Sequence, residues 1–77
     1  MIELDTLIIN KQTFNTAVIS FDDQRKAKKW LDVLIQKRVP HTNYIFIKGN
    51  VKVYAFKMFR IKNRVFELAV KYKEVVG

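Results

Sequence analysis

The Gly49-Asn50 pair limits the fold of this chain more than any other feature. It interrupts two runs rich in β-branched and aromatic residues, Tyr44–Lys48 before it and Val51–Phe59 after it. A two-residue loop between such runs needs positive φ, which glycine adopts freely and asparagine tolerates. The pair therefore predicts a β-hairpin in which Lys48 opposes Val51 and Phe46 opposes Val53. Lys62-Asn63 offers a second turn of the same kind and predicts a third strand running to Lys73, with Phe59 opposite Phe66 and Ala55 opposite Val70. On that pairing one sheet face gathers Tyr44, Phe46, Val51, Val53, Ala55, Phe59, Ile61, Phe66, Leu68, Val70 and Tyr72, and reads as core. The other gathers Ile45, Ile47, Lys52, Tyr54, Phe56, Met58, Arg60, Val65, Lys71 and Lys73, and is basic and aromatic together.

Upstream, Ile2–Asn10 and Thr16–Phe21 are aliphatic segments separated by the polar Asn10-Lys11-Gln12-Thr13, which predicts a first hairpin. Its register stays open, because Leu7, Ile8 and Ile9 are consecutive and break the alternation. Residues 22–39 read as a helix. Ala27, Trp30, Leu31, Leu34 and Ile35 recur at helical spacing, Ser20, Asp22 or Asp23 supplies an N-cap, and Pro40 forbids continuation. The predicted order is β-β-α-β-β-β over a single domain, residues 1–77. The expected class is α+β, an antiparallel sheet with one helix packed on one face.

Residue types exclude most chemistry. The chain has one histidine, no cysteine and two glycines. Disulfides, thiolate metal sites, His-His metal pairs, Walker A loops and dinucleotide fingerprints are all impossible. His41 follows Pro40 and reads as a turn residue. Asp22-Asp23 reads as helix capping. No cofactor, no metal and no enzyme activity are expected, the one exception considered being a metal-independent ribonuclease built from Tyr54, Tyr72, Lys71, Lys73 and Arg60. No apolar run approaches the ~20 residues that span a bilayer, and the acidic N-terminus lacks the basic start of a signal peptide. The zero cysteine count fits a reducing, cytoplasmic setting.

Charge supplies the positive signal. The formal net charge is +8, with −3 over residues 1–23 and +11 over residues 24–77. A field of that size draws polyanions. The expected function is low-specificity nucleic-acid binding, RNA or single strands before duplex DNA. Lys52, Arg60, Lys71 and Lys73 would meet phosphates, Tyr54 and Phe56 would stack on bases, and Arg25, Lys28 and Lys29 on the helix would form a second patch. The alternative is a protein interface made by Ile45, Ile47, Tyr54, Phe56, Met58 and Val65. Its partner would be a second copy, or an acidic or nucleic-acid-binding protein served by an inhibitor of phage or plasmid type. A third possibility is that the first hairpin covers this face with Leu7–Ile9.

Overall fold

The computed structural model describes residues 4–77, so Ile2 and Glu3 of the predicted first strand lie outside it. The elements are β1 (Ile8–Ile9), β2 (Thr16–Phe21), α1 (Gln24–Gln36), β3 (His41–Lys48), β4 (Val51–Phe59) and α2 (Val65–Val76). A 3₁₀ turn at Lys62–Arg64 leads into α2. The strands form one antiparallel sheet in the order β1-β2-β4-β3. This is the α+β class predicted, with helical packing on one face of an antiparallel sheet.

Local chemistry explains most boundaries. Gly49 takes φ +61 and Asn50 keeps negative φ, so the β3–β4 loop has the positive angle at its first central position, as a type II′ turn requires. The pairing is Lys48 with Val51 and Phe46 with Val53, the register read from the sequence. In the first hairpin Ile8 pairs with Val18 and Ile9 with Ala17. Its loop is an Asx turn, in which the Asn10 carboxamide oxygen accepts from the backbone of Gln12 and Thr13. Asp23 caps α1, its carboxylate accepting from the Arg25 amide at 2.8 Å. The helix ends before Pro40 through a Schellman motif. Arg38 adopts φ +55, its N–H reaches the Ile35 carbonyl, and the Val39 N–H reaches that of Leu34. Val39 and Leu34 are both buried, the apolar contact that accompanies this motif.

The last element corrects the prediction. Residues 65–76 are a helix, and no strand begins after Lys62-Asn63. β4 ends at Phe59, Arg60 turns the chain at φ +58, and the segment leaves the sheet. Val65, Leu68, Tyr72, Val75 and Val76 fall on one helical stripe and pack against the core. Phe66 and Val70, which share a face with Leu68 and Tyr72 only at a strand's period, are exposed. The run satisfies both periods, and packing of the 3.6-residue stripe decides between them.

That change reverses the faces. β4 gains β2 as its second neighbour, with Ala17 opposite Met58, Ile19 opposite Phe56 and Phe21 opposite Tyr54. These large apolar residues, and not Thr16, Val18 and Ser20 on the other side of β2, form the surface that the helices cover. Ala27, Trp30 and Leu34 of α1 and Leu68 of α2 close on Ala17, Ile19, Phe21, Phe56 and Met58. Trp30 meets Tyr72 edge to face at 6.4 Å and Phe21 meets Phe56 likewise at 6.2 Å. Each such buried side chain contributes about 1.5–3 kcal/mol. Leu7 and Ile9 pack against the same core, so the first hairpin extends the sheet edge-on instead of folding across a face.

Candidate nucleic-acid interface

Strand alternation and register place one set of residues on the sheet face away from both helices: Thr42, Tyr44, Phe46 and Lys48 of β3, Val51, Val53, Ala55, Lys57 and Phe59 of β4, and Thr16, Val18 and Ser20 of β2. No described element lies over this face. Tyr44 is 50% exposed and Phe46 and Phe59 are half-buried. The Tyr44 and Phe46 rings lie near parallel, 24° apart in plane with centroids 6.0 Å apart. Val53 and Ala55 are buried because their cross-strand neighbours, Phe46 and Tyr44, shield them. The Lys57 ammonium sits 5.5 Å from the centre of the Phe59 ring, within reach of a cation–π attraction. Lys48 and Lys57 are both exposed, and no acidic residue occurs in any of the four strands. The result is an aromatic surface with positive charge and, within the described strands, no acidic residue to oppose it.

The residues singled out from sequence are dispersed. Phe56, expected to stack on bases, is 4% exposed and belongs to the core. Met58 of the alternative interface is fully buried. Val65 is half-buried on α2. Arg60 is exposed just beyond β4, Lys73 is exposed on α2, and Lys71 on α2 pairs with Glu74 at 3.1 Å. Arg25 and Lys29 are exposed on α1. One subset does come together. Lys28 and Leu31 of α1 line a groove of ≈ 220 Å³ with Asn43, Ile45 and Tyr54, between the helix and β3. Lys52 lies 5.6 Å from the centre of the Tyr54 ring. Ile45 and Ile47 are 59% and 66% exposed on the same side.

Tyr44, Phe46 and Phe59, which the sequence pattern reads as core, thus stand on the uncovered face, joined by Lys48 and Lys57, which that pattern places on neither face. The signal for this placement lies in β2. Thr16, Val18 and Ser20 alternate with Ala17, Ile19 and Phe21, so whichever face of β4 joins the second set is the inner one.

Charge elsewhere is partly neutralised. Lys26 pairs with Asp5 and Lys37 with Glu67, each at 3.3 Å, the second pair tying α1 to α2. Arg64 donates to the Arg38 carbonyl at 3.0 Å. The Tyr72 hydroxyl donates to the Asp5 carbonyl, which ties the N-terminal segment to α2. Burial, reinforced by the Asp5 carboxylate, holds this phenol above its ordinary pKa of 10.0. Among the described residues no cluster of histidine and carboxylate groups is placed to hold a metal ion, and no helix is long and apolar enough to cross a membrane. No family model, curated protein or solved structure matches this chain.

Proposed function

We propose that the protein binds single-stranded nucleic acid, RNA before DNA, on the uncovered sheet face, with little sequence preference. The observation that supports this reading is the near-parallel Tyr44–Phe46 pair, with Tyr44 exposed and Phe46 half-buried, on strands free of acidic residues and between Lys48 and Lys57. Unpaired bases stack on such rings whatever their identity, while the ammonium groups meet the phosphates. A duplex offers no free base faces, so single strands bind in preference. The wider +8 charge speeds encounter and adds sequence-independent affinity. A cytoplasmic setting, where RNA is abundant and free thiols stay reduced, fits the same reading.

The test is a fluorescence-anisotropy titration with a labelled uridine oligomer at several salt concentrations. Lys48→Glu with Lys57→Glu should weaken binding and flatten the plot of log K against log salt by about 1.4, two phosphate contacts at about 0.7 each. Tyr44→Ala should weaken binding by about 1–3 kcal/mol and leave that slope unchanged, because stacking releases no counterions. Equal affinities for all three proteins would remove the sheet face as the binding surface.

A further inference from the structure

β3 is an edge strand with none of the usual protection. It is eight residues long, it lies at the end of the sheet, and its outer backbone N–H and C=O groups have no neighbouring strand. Edge strands are ordinarily kept from pairing by shortness, charge, proline or bulges. The opposite edge, β1, is only two residues long. β3 carries no arginine or carboxylate and a single lysine, Lys48 at its last position, and Pro40 lies just outside it. Large apolar side chains are exposed on both of its faces: Tyr44 on one, Ile45 and Ile47 on the other. A sheet-face partner would cover one set only. A strand laid alongside covers both and satisfies the backbone.

We infer that this strand is a second copy of β3, paired antiparallel about a twofold axis through Ile45. An axis perpendicular to the sheet keeps each face continuous, so paired residues must have the same parity. Centring it on Ile45 sets Ile45 against itself, Tyr44 against Phe46, Asn43 against Ile47, and Thr42 against Lys48. Aromatic then meets aromatic on the open face and Ile45 meets its own copy on the helix side, combinations that stabilise antiparallel pairs. No two basic residues oppose each other. Centring on Tyr44 instead would set Ile45 against Asn43 and Ile47 against His41, losing the match. Ile47 of the second copy falls opposite Asn43, at the groove that Asn43, Ile45 and Leu31 line, and that ≈ 220 Å³ space accommodates its side chain. Each copy carries a net charge of +8, and Lys48 is the one lysine on β3, so added salt should screen the repulsion between copies and strengthen this association. This inference does not rest on nucleic-acid binding, which salt weakens.

Sedimentation equilibrium of the full chain alone, without nucleic acid, tests it over a dilution series. The expected result is a particle of twice the chain mass that dissociates on dilution and is favoured by salt. Ile45→Lys places like charges across the axis and should weaken association by at least about tenfold, with an unchanged circular-dichroism spectrum because Ile45 is exposed. The chain contains no cysteine, so single cysteines report the register directly. Ile45→Cys should cross-link into a covalent dimer on mild oxidation, and Ile8→Cys at the other edge should not. A monomer at every concentration, a dimer indifferent to Ile45→Lys, or cross-linking through position 8 in place of 45 would each overturn the inference. A monomer that still binds the uridine oligomer would overturn it and leave the proposed function standing.

Discussion

Three side chains show how single positions are set. Arg38 holds left-handed φ at the C′ position of α1, a conformation that strains any residue with a Cβ. Its functional contact there is through its carbonyl, which accepts from Arg64 and survives substitution. Arg38→Gly should therefore stabilise the fold by up to about 1 kcal/mol, the relief of strain outweighing the added freedom of the unfolded chain. Thermal unfolding would show it as a raised midpoint. Asp23→Ala should do the reverse by about 1 kcal/mol, because the Arg25 amide loses its acceptor. Tyr72 links pH to stability. Its folded-state pKa lies above the unfolded value, so the native state holds the phenolic proton more tightly. Its contribution is complete below about pH 10 and is lost as pH rises through the raised folded value. Tyr72→Phe should cost about 1 kcal/mol at neutral pH by removing the hydrogen bond to Asp5. It should also flatten the alkaline limb of a urea-midpoint profile.

Between elements, the decisive contest was over residues 65–76. Leu68 and Phe66 separate the two outcomes, since a strand puts both on one face and the helix puts Leu68 inside with Phe66 80% exposed. Leu68→Ala should cost about 2–5 kcal/mol, whereas Phe66→Ala should change stability by less than about 0.5 kcal/mol, as exposed positions do. Urea unfolding of the two variants measures this directly. The pattern also marks the limit of what was legible in the sequence. Gly49 imposed a turn that only one register satisfies, and Ala27, Trp30, Leu31, Leu34 and Pro40 specified a helix with face and stop, while its cap stayed open among Ser20, Asp22 and Asp23 and Ile35 of the expected stripe is exposed. These local features needed no knowledge of the rest of the chain. The α2 segment carried two compatible periods, and choosing between them required knowing that Trp30 and Ile61 were waiting on the same side. The candidate site inherited that ambiguity. Tyr44 and Phe46 were correctly placed together, as were Tyr54 and Phe56, but which pair meets water depended on whether β4's second neighbour was β2 or residues 65–73.

Across the whole molecule, both helices lie on one side of the sheet, and the largest buried side chains, Trp30, Phe21, Ile19, Leu34, Met58, Ile61 and Leu68, are all on that side. Among the described residues only small ones, Ser20, Val53 and Ala55, are buried on the other. Folding free energy is thus drawn from one surface of the layer, and the ligand contact proposed above lies on the other. Substitutions at Thr42, Tyr44, Lys48 and Lys57 should accordingly add to those at Leu34 or Leu68 with little coupling, since the two groups share no partner. Double-mutant cycles read by both urea midpoint and anisotropy would test this, with coupling above about 0.5 kcal/mol as the contrary result. The four-stranded sheet behaves as a partition wall. One side is committed to holding the molecule together, and the other is left as a rewritable panel that drift or design can change without renegotiating the fold.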